Sequence, residues 1–205
     1  MKKLRLGVLA SGRGSNLQAI MDRCQDGSLA AEVAVVISDK PAAYALERAR
    51  LAGIAAFGLE VAAFPSKREY EQAVVELLQG AGVQLVCLAG YMRLVGEPLL
   101  QAFPNKIMNI HPALLPSFPG LHGQRDALQY GVKISGCTVH FIDEGMDTGP
   151  IILQAAVPVL QDDTEGTLAA RILEQEHQLY PEAIQLYAEG RLLVEGRRVC
   201  ILSKD

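Results

Sequence analysis

The sequence predicts an α/β fold, a doubly wound and mostly parallel sheet with helices on both faces. One observation supports the fold class and a second supports the number of domains. Short apolar runs alternate with amphipathic helical patterns, which is typical of a parallel sheet with helical crossovers. The chain of 205 residues, 50% hydrophobic and 20% charged, is long enough to bury one core and too short for two ordinary domains. We therefore expect one domain spanning residues 1–205.

Four apolar runs within the first 110 residues predict buried parallel strands. Each is too brief for a helix and is bounded by turn residues. They lie at residues 4–10, 33–37, 84–89 and 106–110. Doubly wound sheets bind ligands at the carboxyl ends of such strands, so we expect functional residues at these ends.

The clearest helical pattern follows Ser66. Ser66 and Glu69 have the spacing of a capping box, which predicts that a helix begins immediately after Ser66. The apolar stripe behind this start consists of Tyr70, Ala73, Val74, Leu77, Leu78 and Ala81.

The pattern changes after Lys133. Residues 134–142 and 151–159 predict two strands joined by a glycine-rich acidic loop. A long helix is predicted over residues 164–189, and residues 192–202 have the pattern of a hairpin that turns at Glu195 and Gly196.

Charge and composition exclude several classes of protein. A net charge of −4 and a pI near 5.6 argue against a nucleic-acid partner, so an anionic ligand must be small. The four cysteines are spread along the chain and form no C-x-x-C pair, so the sequence suggests neither a zinc site nor a disulfide framework. Apolar runs stay well below eighteen residues, and the run from Leu4 ends at Ser11, so we expect a cytoplasmic protein without a membrane partner.

Residues 11–16 lie between the first strand and a helix predicted to begin near Leu17. A glycine turn that leads into a helix N-terminus presents backbone N–H groups to a phosphate. Leu17 stands where a dinucleotide fingerprint has its third glycine, so a phosphomonoester fits this loop better. The alternative is a tight turn in which Ser15 or Asn16 caps the helix.

Asn109 and His111 stand at the end of the fourth predicted strand. Positions two apart on a strand point to the same side, so the amide and the imidazole face one region. Such a pair suits the stabilisation and protonation of an oxyanion at an acyl carbon. The alternative is a purely structural pair.

The acidic loop contains Asp143, Glu144 and Asp147 and is preceded by His140. A carboxylate in this loop would orient His111 and favour its protonated form. The alternative is a solvated turn, with His140 as a satisfied histidine on an edge strand.

The sequence shows no obvious residues for covalent or metal-dependent acyl transfer. The sequence lacks a G-x-S-x-G motif and a cysteine beside a plausible base, so direct transfer fits better than an acyl-enzyme. No His/Cys cluster offers metal ligands, so we expect no metal and an oxyanion met by protein donors.

Taken together, residues 12–20, 89–93, 109–116 and 143–150 resemble the phosphoribosylglycinamide formyltransferase family over essentially the whole chain. The resemblance implies a single formyltransferase domain and a role in de novo purine biosynthesis. It implies that 10-formyltetrahydrofolate donates a formyl group directly to the amine of glycinamide ribonucleotide, giving formylglycinamide ribonucleotide and tetrahydrofolate. No metal is implied.

The resemblance also implies roles for individual residues. Asn109 would hold the formyl oxygen, His111 would act as the acid, and Asp147 would raise the basicity of His111. The nucleotide's phosphate would lie against the loop that contains Gly14, Ser15 and Asn16.

Further residues are implied in substrate binding. The segment that borders the pterin would comprise Met92, Arg93, Leu94 and Val95. Other folate-binding positions implied by the resemblance are Lys67, Asn109, Asp143 and Asp147. Glu176 would lie near the ribose hydroxyls of the nucleotide, the alternative being an exposed carboxylate on the long helix.

Three other functions remain open at the level of sequence. A formyltransferase acting on initiator methionyl-tRNA usually carries an additional C-terminal domain, and a formyltetrahydrofolate hydrolase an N-terminal regulatory domain. The first strand begins at Leu4 and the sequence ends at Asp205, so we expect neither domain. A non-catalytic folate or phosphate binding module would not require Asn109 and Asp147. We expect a monomer or a homodimer.

Overall fold

A computed structural model describes residues 3–204 and divides the chain into two compact units. The first unit runs up to Met108 and the second begins at Asn109. Met1, Lys2 and Asp205, which the predicted domain 1–205 includes, lie outside the described residues.

The first unit alternates strands with helices. Its strands pair in the order β3-β2-β1-β4, and the three pairings are parallel, as predicted. The elements are β1 (Leu4–Leu9), α1 (Ser15–Gln25), β2 (Ala31–Ser38), α2 (Tyr44–Leu51), β3 (Ala55–Gly58), a 3₁₀ turn (Val61–Ala63), α3 (Lys67–Gly80), β4 (Leu85–Leu88) and α4 (Glu97–Ala102).

The core of this unit forms where α3 packs closely against the sheet. Leu6 and Val8 on β1 are fully buried, as is Leu78 on α3. A β-carbon at Gly7 would lie 2.3 Å from Cδ2 of Leu78, so the absence of a side chain there lets the helix approach the strand. The apolar runs of the sequence are therefore buried strands, as predicted.

The N-terminal caps of two helices can be compared with the caps that the sequence predicts. Ser66 caps α3 as predicted, because its hydroxyl accepts a hydrogen bond from the Glu69 N–H at 3.2 Å. The first helix begins at Ser15, and its N-cap is Gly14, which makes no side-chain capping bond. The alternative in which Ser15 or Asn16 caps α1 is therefore wrong.

The second unit has a mixed sheet in the order β5-β6-β7-β9-β8. β6 with β7 and β8 with β9 are antiparallel, whereas β7 with β9 is parallel. The elements are β5 (Ile107–His111, whose first two residues belong to the first unit), α5 (Gly123–Tyr130), β6 (Ile134–Phe141), β7 (Ile151–Pro158), α6 (Glu165–Ala188), β8 (Leu192–Glu195) and β9 (Arg198–Ile201).

The predicted long helix and C-terminal hairpin are confirmed within a residue or two. Thr164 is the N-cap of α6, with a capping box in which Thr164 and Thr167 satisfy each other's backbone N–H groups. The hairpin pairs Glu195 with Arg198 across its turn, where Gly196 has a φ of 60°. A left-handed φ at this position favours glycine.

Candidate active site

Four polar side chains of the second unit converge beside the end of β5. They are Asn109, His111, His140 and Asp147, called the His111 cluster below. Asn109 Nδ2 lies 3.2 Å from His140 Nε2, and His111 Nδ1 lies 3.5 Å from Asp147 Oδ2. The structure thus brings together the three residues predicted from the sequence and adds His140 to them.

Both ring nitrogens of His111 face oxygen atoms. Nε2 donates to the carbonyl oxygen of Phe118 at 2.8 Å, and Nδ1 faces the Asp147 carboxylate. His111 is only 3% exposed, so water has little access to the ring. An imidazole can donate to both oxygens only when each nitrogen carries a proton, and this is the form that can act as an acid.

The carboxylate of Asp147 is held in place by the backbone. Its Oδ2 accepts a hydrogen bond from the Gly120 N–H at 2.8 Å, and its Oδ1 lies 3.7 Å from His140 Nε2. The residue has a φ of 55°, and its side chain is 13% exposed. The interpretation of the acidic loop as a solvated turn therefore fails for Asp147.

His140 orients Asn109. It is fully buried on β6, and its Nδ1 donates to the carbonyl oxygen of Phe141 at 2.9 Å, which leaves Nε2 as the acceptor for the Asn109 amide. Burial lowers the pKa of His140; the hydrogen bond to Phe141 and the charge of Asp147 oppose this effect. β6 lies between β5 and β7, so His140 is not on an edge strand.

Asp143 braces the acidic loop from within. Its Oδ1 accepts hydrogen bonds from the Thr148 hydroxyl at 2.6 Å and from the Gly145 N–H at 3.1 Å. These contacts give Asp143 a structural task in addition to the folate contact predicted for it.

Glu176 lies on α6 and is 6% exposed, so the alternative of an exposed helix carboxylate is wrong. Its charge contributes, after burial, to raising the pKa of Cys137 to about 12. Cys137 is therefore a thiol near neutral pH.

In the first unit, residues 11–16 comprise a loop that ends at the N-cap Gly14 and the first two residues of α1. Gly14 has a φ of 72° and a ψ of 35°, and a β-carbon there would lie 2.8 Å from Cβ and 2.9 Å from Cα of Ala45. The position thus requires glycine both for its left-handed conformation and for its close approach to α2. The first N–H groups of α1 have no partner within the helix, as at any helix N-terminus.

Helix α2 supports this loop through contacts that are not predicted from the sequence. The Ala45 N–H donates to the carbonyl oxygen of Gly12 at 3.1 Å, and Arg48 Nε donates to that of Arg13 at 2.8 Å. The same guanidinium donates to Gln18 Oε1 at 2.9 Å. Arg48 therefore adds a positive charge beside a helix N-terminus that already favours anions. The sequence offers no motif that marks Arg48 for this contact.

Five of the residues predicted to bind the folate lie at two places in the first unit. Lys67 is the first residue of α3, and its Nζ lies 3.5 Å from Glu71 Oε1. Residues 92–95 have no helix or strand, and the Arg93 guanidinium lies 5.8 Å from the centre of the Tyr70 ring.

Residues 3–204 contain neither a cluster of metal ligands nor a helix able to span a membrane. No group of three or more His, Cys, Asp or Glu side chains there is arranged to hold a metal ion. In the same part of the chain, every helix is too short or too polar to cross a membrane.

Comparison with known proteins connects this geometry to a family. Residues 4–184 match the formyl transferase family. The chain is 47% identical over 185 residues to the phosphoribosylglycinamide formyltransferase of Bacillus subtilis (strain 168), covering 90% of this chain and 94% of that protein. It is 46% identical over 195 residues to the trifunctional purine biosynthetic protein adenosine-3 of Drosophila melanogaster, covering 94% of this chain. The chain spans only 14% of the length of that larger protein.

A solved structure shows the same fold. The crystal structure of glycinamide ribonucleotide transformylase 1 from Symbiobacterium toebii matches with a TM-score of 0.97 at 61% sequence identity, covering 98% of this chain and 95% of that one. The predicted α/β fold with a mostly parallel sheet is confirmed. The match at residues 4–184 also confirms the family predicted from the motifs, and the chain belongs to the formyl transferase family.

Proposed function

We propose that this protein transfers the formyl group of 10-formyltetrahydrofolate to the amine of glycinamide ribonucleotide in de novo purine biosynthesis. Membership of the formyl transferase family supports the reaction type. The names of the relatives from Bacillus subtilis and Symbiobacterium toebii support the acceptor. The folate donor is the finer part of this proposal and rests on the motifs of the sequence.

The observation that carries the proposal is the arrangement of the His111 cluster. An oxyanion at an acyl carbon needs hydrogen-bond donors that are already in place when the charge develops. The Asn109 amide has two N–H groups, one of which is directed at His140 Nε2 at 3.2 Å. The second N–H is the donor that we assign to the formyl oxygen.

The proposed reaction is a direct transfer. The substrate amine attacks the formyl carbon, a new C–N bond forms, and the carbonyl π electrons move to the oxygen. Asn109 donates a hydrogen bond to this oxygen, and His111 donates a proton. When the intermediate collapses, the oxygen returns that proton, the bond to N10 of the folate breaks, and N10 leaves with the proton lost by the amine.

His111 must change its hydrogen-bond acceptor to play this part. Its Nε2–H is now directed at the Phe118 carbonyl, at 2.8 Å, and would turn to the formyl oxygen when substrate is bound. Catalytic hydrogen bonds often assume their final geometry only in the substrate complex. Asp147 stays beside Nδ1, where its negative charge stabilises the protonated ring.

The remaining residues are assigned to substrate binding. Backbone groups of Gly14, Ser15 and Asn16 would hold the phosphate of the nucleotide, and Glu176 would bind its ribose hydroxyls. The residues assigned to the folate are Lys67, Met92, Arg93, Leu94, Val95, Asn109, Asp143 and Asp147. The proposed mechanism includes no metal. A single domain over residues 1–205, a monomeric or homodimeric state, a cytoplasmic location and the absence of a nucleic-acid partner stay predictions.

The test is the consumption of 10-formyltetrahydrofolate, followed by its absorbance with and without glycinamide ribonucleotide. We expect consumption only when the ribonucleotide is present, together with formation of formylglycinamide ribonucleotide. His111→Ala should abolish both, whereas His122→Ala, at an exposed position, should change neither.

Consumption at the same rate without the amine would identify a hydrolase and overturn the proposed acceptor. Binding of folate with no consumption under either condition would identify a non-catalytic module.

A further inference from the structure

The segment Met92–Val95, proposed above to border the pterin, has little structure of its own. It follows β4 as a loop, and the side chains of Met92 and Leu94 are 55% and 56% exposed. A loop without regular hydrogen bonds samples many conformations unless other groups restrain it. Whatever fixes this segment therefore lies outside it.

A buried serine restrains the amino end of the segment. Ser11 is 4% exposed, and its hydroxyl oxygen accepts a hydrogen bond from the Met92 N–H at 2.9 Å. The Ser11 N–H in turn donates to the carbonyl oxygen of Gly90 at 3.0 Å. Ser11 thus joins the end of β1 to the start of a segment 81 residues later in the chain.

A buried carboxylate restrains the other end. Glu71 is 3% exposed on α3, and its Oε1 accepts a hydrogen bond from the Gly96 N–H at 2.9 Å. A β-carbon at Gly96 would lie only 2.5 Å from Glu71 Oε2, so the glycine makes room for this carboxylate. Glu71 Oε1 also lies 3.5 Å from the Nζ of Lys67, another residue proposed to contact the folate.

We propose that Ser11 and Glu71 are positioning residues that hold the Met92–Val95 segment at its two ends in the conformation that binds the pterin. This inference rests on the proposed function. Ser11 accepts from the N–H of Met92, the first residue of the segment, and Glu71 accepts from that of the residue that follows the segment. Neither side chain needs to touch the substrate. Restraining the loop before binding reduces the entropy lost when the folate binds, so the benefit should be seen in folate affinity.

Two pairs of variants separate this role from general stability. Ser11→Ala removes one acceptor, and Ser38→Ala is its control, because Ser38 is also buried at the end of a strand, with its hydroxyl accepting from the Lys40 N–H at 3.1 Å. Glu71→Met removes the other acceptor at similar size. Glu71→Gln loses the charge but keeps an oxygen for the Gly96 N–H.

The affinity for tetrahydrofolate is measured by calorimetry, and hydrogen exchange of the Met92 and Gly96 amides is measured without substrate. We expect Ser11→Ala and Glu71→Met each to weaken binding about tenfold, which corresponds to the loss of one buried hydrogen bond. Ser38→Ala and Glu71→Gln should stay within about threefold of the parent. The amide released in each weakened variant should exchange faster, and the Michaelis constant for the nucleotide should change less than that for the folate.

The proposal is overturned if Ser11→Ala and Glu71→Met both bind tetrahydrofolate with parental affinity. It is also overturned if Ser38→Ala or Glu71→Gln weakens binding as much as its partner variant, since the effect would then reflect folding stability or charge. A parent protein that does not transfer the formyl group would instead overturn the proposed function. The exchange rates of the two amides would still report whether the segment is restrained.

Discussion

The proposed phosphate site, residues 11–16 and called the phosphate loop below, and the His111 cluster are built in different ways. The loop presents backbone groups of consecutive residues, and its own carbonyl oxygens are held by Ala45 and Arg48 of α2. The cluster is made of side chains from β5, β6 and the loop that follows β6. A backbone site depends on conformation and space, whereas a side-chain site depends on the identity of each charged or polar group. The two should therefore fail differently when they are altered.

The largest effect is expected from Asp147→Asn, which removes a charge from the cluster and preserves size. Asp147 Oδ2 lies 3.5 Å from His111 Nδ1, and in the proposed mechanism its negative charge favours the protonated ring, so the variant should lose that effect. We expect turnover to fall on the order of 10²-fold or more, which is typical for disabling general acid–base catalysis. Folding should persist, because an amide oxygen still accepts from the Gly120 N–H.

The control for this variant is Asp162→Asn, at an exposed position outside the cluster. Turnover by the control should match that of the parent. Near-parental turnover by Asp147→Asn in the same assay would remove Asp147 from the mechanism and leave only its contact with Gly120.

A smaller and different effect is expected from Gly14→Ala in the phosphate loop. The new β-carbon would lie 2.8 Å from Ala45 Cβ, and the alanine would have to adopt a left-handed φ of 72°. The loop must shift, so the Michaelis constant for the nucleotide should rise about tenfold while that for the folate changes little. Steady-state kinetics with each substrate varied in turn makes the comparison.

Gly27→Ala is the matched control, because Gly27 also has a left-handed φ, of 80°, but no atom within 4 Å of its β-carbon position. Both variants should lose about 1–2 kcal/mol of stability from backbone strain. Only Gly14→Ala should raise the Michaelis constant for the nucleotide. An equal rise in the Michaelis constants for both substrates would contradict the assignment of this loop to the phosphate.

The two regions also differ in how far the sequence predicts them. The phosphate loop follows from a glycine turn between a strand and a helix, which is a local pattern. Asn109 and His111 follow from a spacing of two on a strand, and Asp147 from the family resemblance. Arg48 was missed because its contact with Arg13 spans 35 residues and depends on how α2 packs. The part played by His140 was missed for a similar reason, since its partner Asn109 is 31 residues away.

The same distinction holds for the fold. Long or strongly apolar elements such as α6 and β1 were predicted within two residues of their observed ends. The strand β3 was missed because it has four residues, all of them exposed or half-buried, and α4 was missed because it has only six. Such short elements owe their stability to neighbours rather than to a periodic pattern of their own.

The last prediction concerns ionisation, which the cluster must control and the backbone loop need not. Burial lowers the pKa of His140 from its ordinary value of 6.5, while His111, Asp147 and Asp143 are the charged or titratable neighbours that act on it. The unfolded chain therefore binds a proton at this position at a higher pH than the folded protein. Stability contributed by neutral His140 is complete above pH 6.5 and is lost as the pH falls below that value towards the lowered pKa. The slope is at most about 1.4 kcal/mol per pH unit for one proton.

His140→Gln cannot titrate and keeps an oxygen acceptor for the Asn109 amide. Urea unfolding between pH 5 and 8 should therefore show that the free energy of unfolding of the parent falls more steeply on acidification than that of the variant. His122→Gln, at an exposed position, serves as the control and should retain the slope of the parent. Equal slopes for the parent and His140→Gln would show that burial of His140 in its neutral form contributes nothing to the pH dependence.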